Sequence, residues 1–469
     1  MIEKAFKAYD VRATYPNPLN EEGAWKVGHA AAQFLKRSRE RLPAEQKVGR
    51  ENVMVVGRDM RPHSPALAQA LSDGIRSVGM DVVNVGMVDT SFVYFAINHV
   101  DAVGGIMTTA SHNPVQYNGF KISGPKAKPI GSATGLDDIK RIASQLRTPN
   151  QAGLQTGLKG KYEEQDLWAA YRAHVHKFLD LKRPLKVVVD ASNGMAGSMV
   201  PKVFGGVPNL EIVPLLFEIT GSFVHEPNPL VESNLDMLKS KMRETADAAL
   251  GACFDGDADR CMFVDEQAKL VGSDMITALL AEDFLRREEN KGATIVYDLR
   301  SSHAVPDTIK ALGGVPKRDR VGHAFIKKTM AETKAVFGGE LSGHLYFRDN
   351  FFADSAAVAF ACVLSVVSAQ DKPLGELMKK YYKYSHSGEI NFHVEDKDAK
   401  IRELAEHYKK ANIDYLDGVT IDFGDWWFNV RKSNTEPLLR LNLEAPSAEM
   451  LRAKLEELKK FLGEPAHGH

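Results

Sequence analysis

Cysteine is scarce: Cys253, Cys261 and Cys362 are the only three in 469 residues, an odd number without C-x-x-C spacing. A disulfide framework and a cysteine-ligated zinc site are both excluded as the basis of the fold. Net charge is also lacking, since 60 lysines and arginines face 61 aspartates and glutamates. Without a basic surplus there is no electrostatic footprint for nucleic acid or an anionic membrane. No apolar run reaches the roughly 20 residues that span a bilayer. The start, Met1-Ile2-Glu3-Lys4-Ala5-Phe6, has no basic-then-apolar signal pattern. A cytoplasmic protein is expected, with neither nucleic acid nor membrane as partner. Any small charged ligand must then be held by locally placed groups.

What is present is an ordinary globular composition, 44% apolar and 26% charged, on a chain too long for one core. One pattern recurs three times. A short β-branched run ends in a polar residue, a helical stretch follows, and a second such run closes the unit. The copies are Asn52–Asp59, Ser64–Val78 and Asp81–Val85; then Leu185–Asp190, Met195–Phe204 and Leu210–Leu216; then Ala293–Asp298, His303–Leu312 and Val315. Continuous β-branched runs suit strands buried on both faces, and ligands gather at the carboxyl ends of such strands. Linkers are expected near Thr148–Lys161 and Asp371–Pro373. The last segment differs: helices near Lys397–Lys410 and Ser447–Leu462 flank a period-two strand at Leu439-Arg440-Leu441-Asn442-Leu443. This reads as an α+β module.

Five segments carry chemistry. The sharpest is Asp255-Gly256-Asp257-Ala258-Asp259-Arg260, bounded by apolar runs that read as strands. On an extended backbone three carboxylates two residues apart share one side, where they repel unless a cation joins them. All-oxygen donors point to Mg²⁺ or a relative. A calcium loop is disfavoured because Arg260 stands where the sharp turn needs glycine. An aspartyl-phosphate phosphatase, with Asp255 as nucleophile, is the remaining rival.

The second segment, Thr108-Thr109-Ala110-Ser111-His112-Asn113-Pro114, is by itself ordinary turn chemistry. A phosphoryl group on Ser111, however, would complete the shell of a three-aspartate metal. In Gly338-Gly339-Glu340-Leu341-Ser342-Gly343-His344, Glu340 and Ser342 are two residues apart and suit neighbouring sugar hydroxyls, with a solvated glycine turn as the bland alternative. Arg431-Lys432-Ser433-Asn434-Thr435-Glu436-Pro437 suits a phosphate; its S-x-x-E spacing also fits a helix cap, but a strand follows. Finally, His323 beside Gly322 at a helix entrance can meet an anion, while Lys327 and Lys328 fit the solvated face of that helix.

These residues, with Ala8-Tyr9-Asp10-Val11-Arg12 and Tyr117-Asn118-Gly119-Phe120-Lys121, resemble in order the α-D-phosphohexomutase family, in its bacterial phosphomannomutase/phosphoglucomutase branch. The likeness spans essentially the whole chain. It implies an α/β fold: three related α/β domains with mixed sheets plus a smaller α+β C-terminal domain around a central cleft. The expected boundaries are 1–155 with the serine loop, 156–268 with the metal loop, 269–378 with the sugar loop and 379–469 with the phosphate loop. The resemblance makes Ser111 the phosphoryl carrier and gives one Mg²⁺ to its phosphate, Asp255, Asp257 and Asp259. Arg12, Lys121 and His344 would lie near the phosphoserine for proton transfer or charge stabilisation. Glu340, Ser342 and His344 would meet the sugar, and Arg431, Ser433, Asn434 and Thr435 the phosphate not being transferred. Tyr9, Arg260, Arg300 and His323 complete the substrate-binding set.

The implied reaction interconverts hexose 6-phosphate and hexose 1-phosphate, of mannose, glucose or both. It runs through glucose or mannose 1,6-bisphosphate on a monomeric enzyme whose partners are small-molecule hexose phosphates. Two departures from the branch are visible. Arg300 stands where lysine is usual, which keeps the charge but not an easily lost proton. Leu341 stands where methionine is common. Aminosugar mutases of the family show Glu-Gln-Ser-Gly-His and Ser-Gly-Thr in the last two loops; Leu341 and Asn434 here favour neutral hexoses. Phosphoglucosamine mutase remains the nearest alternative, and a metal-dependent sugar phosphatase the next.

Overall fold

The computed structural model describes residues 2–38, 48–147, 159–433 and 438–466. The chain forms two compact bodies, Met1–Val271 with Ser342–Gly375, and Gly272–Leu341 with Glu376–His469.

The first body opens with strands Val11–Thr14 (β1), Arg50–Arg58 (β2), Asp81–Met87 (β3), Ala102–Thr108 (β4), Tyr117–Ser123 (β5) and Tyr162–Glu164 (β6), ordered β1-β5-β4-β2-β3-β6. β2 runs parallel to β3 and β4, whereas β5 is antiparallel to β4 and β1. Val53 to Val56 are all buried, as a strand covered on both faces requires. Around this sheet lie helices Glu21–Ser38 (α1), Ser64–Ser77 (α2), Thr90–His99 (α3) and Leu136–Gln145 (α4). α1 and α2 approach to backbone contact, since a Cβ on Gly28 would overlap the Leu71 carbonyl and one on Gly74 the Trp25 carbonyl. α3 buries every residue from Thr90 to Ile97, so it shows no polar stripe in sequence.

The second sheet repeats the plan. Strands Leu185–Asp190 (β7), Leu210–Leu215 (β8), Ala248–Phe254 (β9), Cys261–Val264 (β10) and Leu270–Val271 (β11) are ordered β11-β10-β9-β7-β8. β7 is parallel to β8 and β9, and β9 turns back into antiparallel β10, as β4 does into β5. The buried helix Ala356–Ser368 joins this body; Phe204 and Phe254 meet Phe360 edge-on at 5.0 and 5.6 Å.

In the second body, Thr294–Asp298 pairs in parallel with Val315–Asp319 and Phe337–Gly339, flanked by helices Ala304–Ala311 and His323–Thr333. Its C-terminal part is a five-stranded antiparallel sheet with helices Lys397–His407 and Ala448–Leu462, the expected smaller α+β module. Leu439, Leu441 and Leu443 all enter its core, as their period-two spacing requires.

Helices expected from Met195, His303 and Ser447 begin one residue later, because each of these three is the N-cap. Of the expected linkers, residues 148–158 lie outside the described residues, and Asp371–Pro373 separates two helices. Among the described residues no helix is long and apolar enough to cross a membrane.

Candidate active site

Residues 255–260 form the turn of the β9–β10 hairpin, in which Cys261 pairs with Phe254. The expected extended backbone is therefore corrected. Ala258 takes left-handed geometry (φ 53°), and the carboxylates converge because the loop curls around Asp255. Asp255 Oδ1 accepts the N–H groups of Asp259 and Arg260 at 3.1 and 3.2 Å, and its Oδ2 accepts Arg260 Nε–H at 3.0 Å. Asp255, Asp257 and Asp259 are all buried, with one oxygen from each within 4.8 Å of the others. Lys121 Nζ donates to Asp257 Oδ2 at 2.7 Å and also to Asp259.

Charge here is finely opposed. Burial, reinforced by the charge on Asp259, pushes Asp255 up to about 7. Burial also works against a charged Asp259, but Lys121, His344 and Arg260 outweigh it and hold Asp259 well below the usual carboxylate range. Lys121 resists its own burial through Asp257 and Asp259, which keep its ammonium well above its ordinary value.

Ser111 follows the carboxyl end of β4, 4% exposed and in the left-handed region (φ 52°). For a non-glycine residue that conformation costs about 1 kcal/mol or more, so the surrounding structure must impose it. Arg61 does much of this. Its buried guanidinium donates to the carbonyls of Ser111 (2.9 Å), Asn113 (2.6 Å), Pro114 (2.7 Å) and Tyr117 (3.0 Å), while Asp59 holds its Nε at 3.1 Å. Ser111 Oγ donates to Asp255 Oδ2 at 3.0 Å and lies 3.3 Å from His112 Nδ1. Burial, with Arg260, Arg12 and Lys121, keeps His112 well below its ordinary pKa. The two loops touch at a glycine: a Cβ on Gly256 would overlap the Ser111 carbonyl oxygen.

Arg12 joins the serine loop through Asn113 Oδ1 (2.7 Å) and is paired with Asp10; Tyr9 lies against Gly131. His344 Nε2 stands 3.5 Å from Asp259 Oδ1, with its Nδ1 2.9 Å from Ser342 Oγ. Ser111, Arg12, Lys121, His344, Ser342, Arg260 and the three aspartates are thus gathered in the first body.

Tyr9 belongs to the same body, and the remaining predicted residues to the second. Glu340 is buried and accepts the Gly322 N–H at 2.8 Å, just before His323 opens its helix. Glu340 directly follows the strand Phe337–Gly339. Arg300 pairs with Asp298 at 2.6 Å; burial opposes its charge, but Asp298, Glu340 and Glu389 raise its pKa above the ordinary value. Arg431 is buried at the end of its strand and donates to Glu389 at 2.5 Å. The Ser433 N–H bonds the Leu438 carbonyl at 2.9 Å. Asn434 and Thr435 lie outside the described residues.

Comparison with known proteins decides the family. The phosphoglucomutase/phosphomannomutase α/β/α domains I, II and III match residues 3–149, 169–269 and 272–384, and the C-terminal domain of the same family matches 389–460. The chain belongs to the phosphoglucomutase/phosphomannomutase family. It is similar to the phosphohexose mutases of Xanthomonas campestris pv. campestris (strain B100), 37% identical over 470 residues, covering 98% of this chain and 100% of that one. The phosphomannomutase of Escherichia coli (strain K12) is also 37% identical, over 472 residues, covering 98% and 99%. A solved phosphoglucomutase/phosphomannomutase family protein from Burkholderia thailandensis is 32% identical, with TM-score 0.86 and 99% of each chain covered. This is a mutase enzyme.

The acidic loop of this mutase fits a hard divalent cation. Its donors are all oxygens, the fold by itself pushes Asp255 up to about 7, and Asp257 Oδ1 is buried with no hydrogen-bond partner among the described residues. Three further residues escape a reading of the sequence. Arg61 could have been found from the Asp59-Met60-Arg61 spacing at a strand end. Thr90, which donates to Asp257, and Asp354, grouped with Asp259 and His344, carry no local signal.

Proposed function

We propose that the enzyme interconverts hexose 6-phosphate and hexose 1-phosphate, with mannose, glucose or both as the sugar. The phosphoryl group is carried on Ser111, and hexose 1,6-bisphosphate is the intermediate. One observation carries the reading: Ser111 Oγ donates to Asp255 Oδ2 at 3.0 Å, at the edge of a buried three-carboxylate loop. In this reading phosphoserine gives its phosphoryl group to one hydroxyl of the sugar phosphate. The bisphosphate turns end for end, and the serine recovers the other phosphate. Arg12, Lys121 and His344 balance charge and handle protons near the transferring group. Glu340 and Ser342 take sugar hydroxyls, with Tyr9, Arg260, Arg300 and His323 completing the substrate site. Arg431, Ser433, Asn434 and Thr435 take the resting phosphate. When bound by Asp255, Asp257 and Asp259, Mg²⁺ would offset negative charge on the phosphoryl oxygens.

The domains end near residues 155, 268 and 378, and the enzyme works as a cytoplasmic monomer. Its test is turnover of mannose 1-phosphate, glucose 1-phosphate and glucosamine 1-phosphate with Mg²⁺ and a trace of bisphosphate. Each 6-phosphate is read by a coupled dehydrogenase or by chromatography, with inorganic phosphate measured in parallel. Neutral-sugar 6-phosphate without phosphate release is the expected outcome. Stoichiometric phosphate release would make it a phosphatase, and turnover of the aminosugar alone a phosphoglucosamine mutase.

A further inference from the structure

We infer that Thr90 is a positioning residue for the metal: it fixes the Asp257 carboxylate so that one oxygen is left to face the cation. The inference rests on reading Asp255, Asp257 and Asp259 as the metal site. Thr90 is the first residue of α3, fully buried and 167 positions from its partner. It grips Asp257 twice. Its N–H, one of the donors that a helix start leaves without an internal acceptor, goes to the Asp257 carbonyl at 3.0 Å. Its hydroxyl donates to Asp257 Oδ2 at 2.5 Å. Lys121 donates to that same oxygen at 2.7 Å, so Oδ2 is occupied from two sides. Oδ1 is buried and takes no hydrogen bond among the described residues.

A carboxylate rotates about its terminal bond, and one loaded on a single oxygen by two donors cannot turn without breaking both bonds. Thr90 therefore selects which oxygen is offered. The serine-loop domain thereby tunes a loop belonging to the next α/β unit of the same compact body. Groups that orient a metal ligand from behind contribute about 10–100-fold in affinity.

Calorimetric titration of the full-length protein with Mg²⁺ alone tests this. Thr90→Val keeps the shape and removes the hydroxyl, and should raise the Mg²⁺ dissociation constant about 10–100-fold. Thr90→Ser restores the donor and should bind within about threefold of wild type, a rescue that a purely packing role would not give. In turnover, Thr90→Val should need more Mg²⁺ while the KM for sugar phosphate at saturating Mg²⁺ stays near wild type. Should the valine variant not fold, Thr90→Ala removes the same hydroxyl without a branched replacement and is read in the same way. A hydroxyl-free variant that binds Mg²⁺ like wild type overturns the inference and leaves the metal site standing. A wild-type protein that binds no Mg²⁺ overturns the metal site, and the inference with it.

Discussion

Asp89 is a fully buried carboxyl just before Thr90, and replacing it with asparagine should make the pH dependence of stability visible. Its Oδ1 accepts the Phe92 N–H and the Tyr171 hydroxyl, each at 3.0 Å, while Oδ2 has no hydrogen-bond partner among the described residues. Burial outweighs those two bonds and pushes its pKa up to about 7. In the unfolded chain an aspartate titrates near about 3.9. From roughly pH 4 to pH 7 the folded protein keeps a proton that the unfolded chain has lost. Stability must therefore fall as pH rises through that window and level off above it. At about 1.36 kcal/mol per pH unit the whole effect is about 4 kcal/mol, of which somewhat more than half falls between pH 5 and pH 8. Asparagine keeps the Oδ1 acceptor and cannot ionise, but its buried amide nitrogen costs about 1–3 kcal/mol at every pH. Thermal unfolding of both proteins in EDTA at pH 5 and pH 8 isolates the contribution of Asp89. The variant should gain about 3 kcal/mol on wild type between the two values, roughly 3 °C in relative Tm for a chain of this length. A Tm difference that does not move with pH would refute the reasoning.

Two more perturbations address the site itself. Lys121→Met leaves Asp257 and Asp259 without their ammonium, which should cost about 3–5 kcal/mol in metal-free protein. Mg²⁺ should raise the variant's Tm by more than it raises that of wild type, and equal increments would contradict the shared-charge argument. Gly256→Ala forces a methyl against the Ser111 carbonyl and parts the two loops. A loss of about 100-fold or more in kcat/KM is expected while a cooperative unfolding transition is retained. Near-normal turnover would show that the close approach is dispensable.

The strands were legible because buried parallel strands need continuous apolar runs rich in β-branched residues, and Val53–Val56 and Val187–Val189 supply them. The acidic loop was legible as chemistry but not as geometry. Two-residue spacing suggested a strand, whereas Asp255 nucleates a turn by accepting the N–H groups of Asp259 and Arg260. α3 is buried from Thr90 to Ile97 on every side, and such a segment gives no clear period to read. What the supports of the site hold was invisible for a different reason. Arg61 reaches Ser111 across 50 positions and Thr90 reaches Asp257 across 167, and only tertiary structure brings such pairs together.

The central claim is that Ser111 carries the phosphoryl group beside the three aspartates. Intact-protein and peptide mass spectrometry of wild type, after incubation with hexose 1,6-bisphosphate, tests it most directly when paired with Ser111→Ala. One phosphate on the Ser111 peptide is predicted, absent from the folded alanine variant together with most of the activity. Full activity in Ser111→Ala, or phosphate found on Asp255 instead, would contradict it.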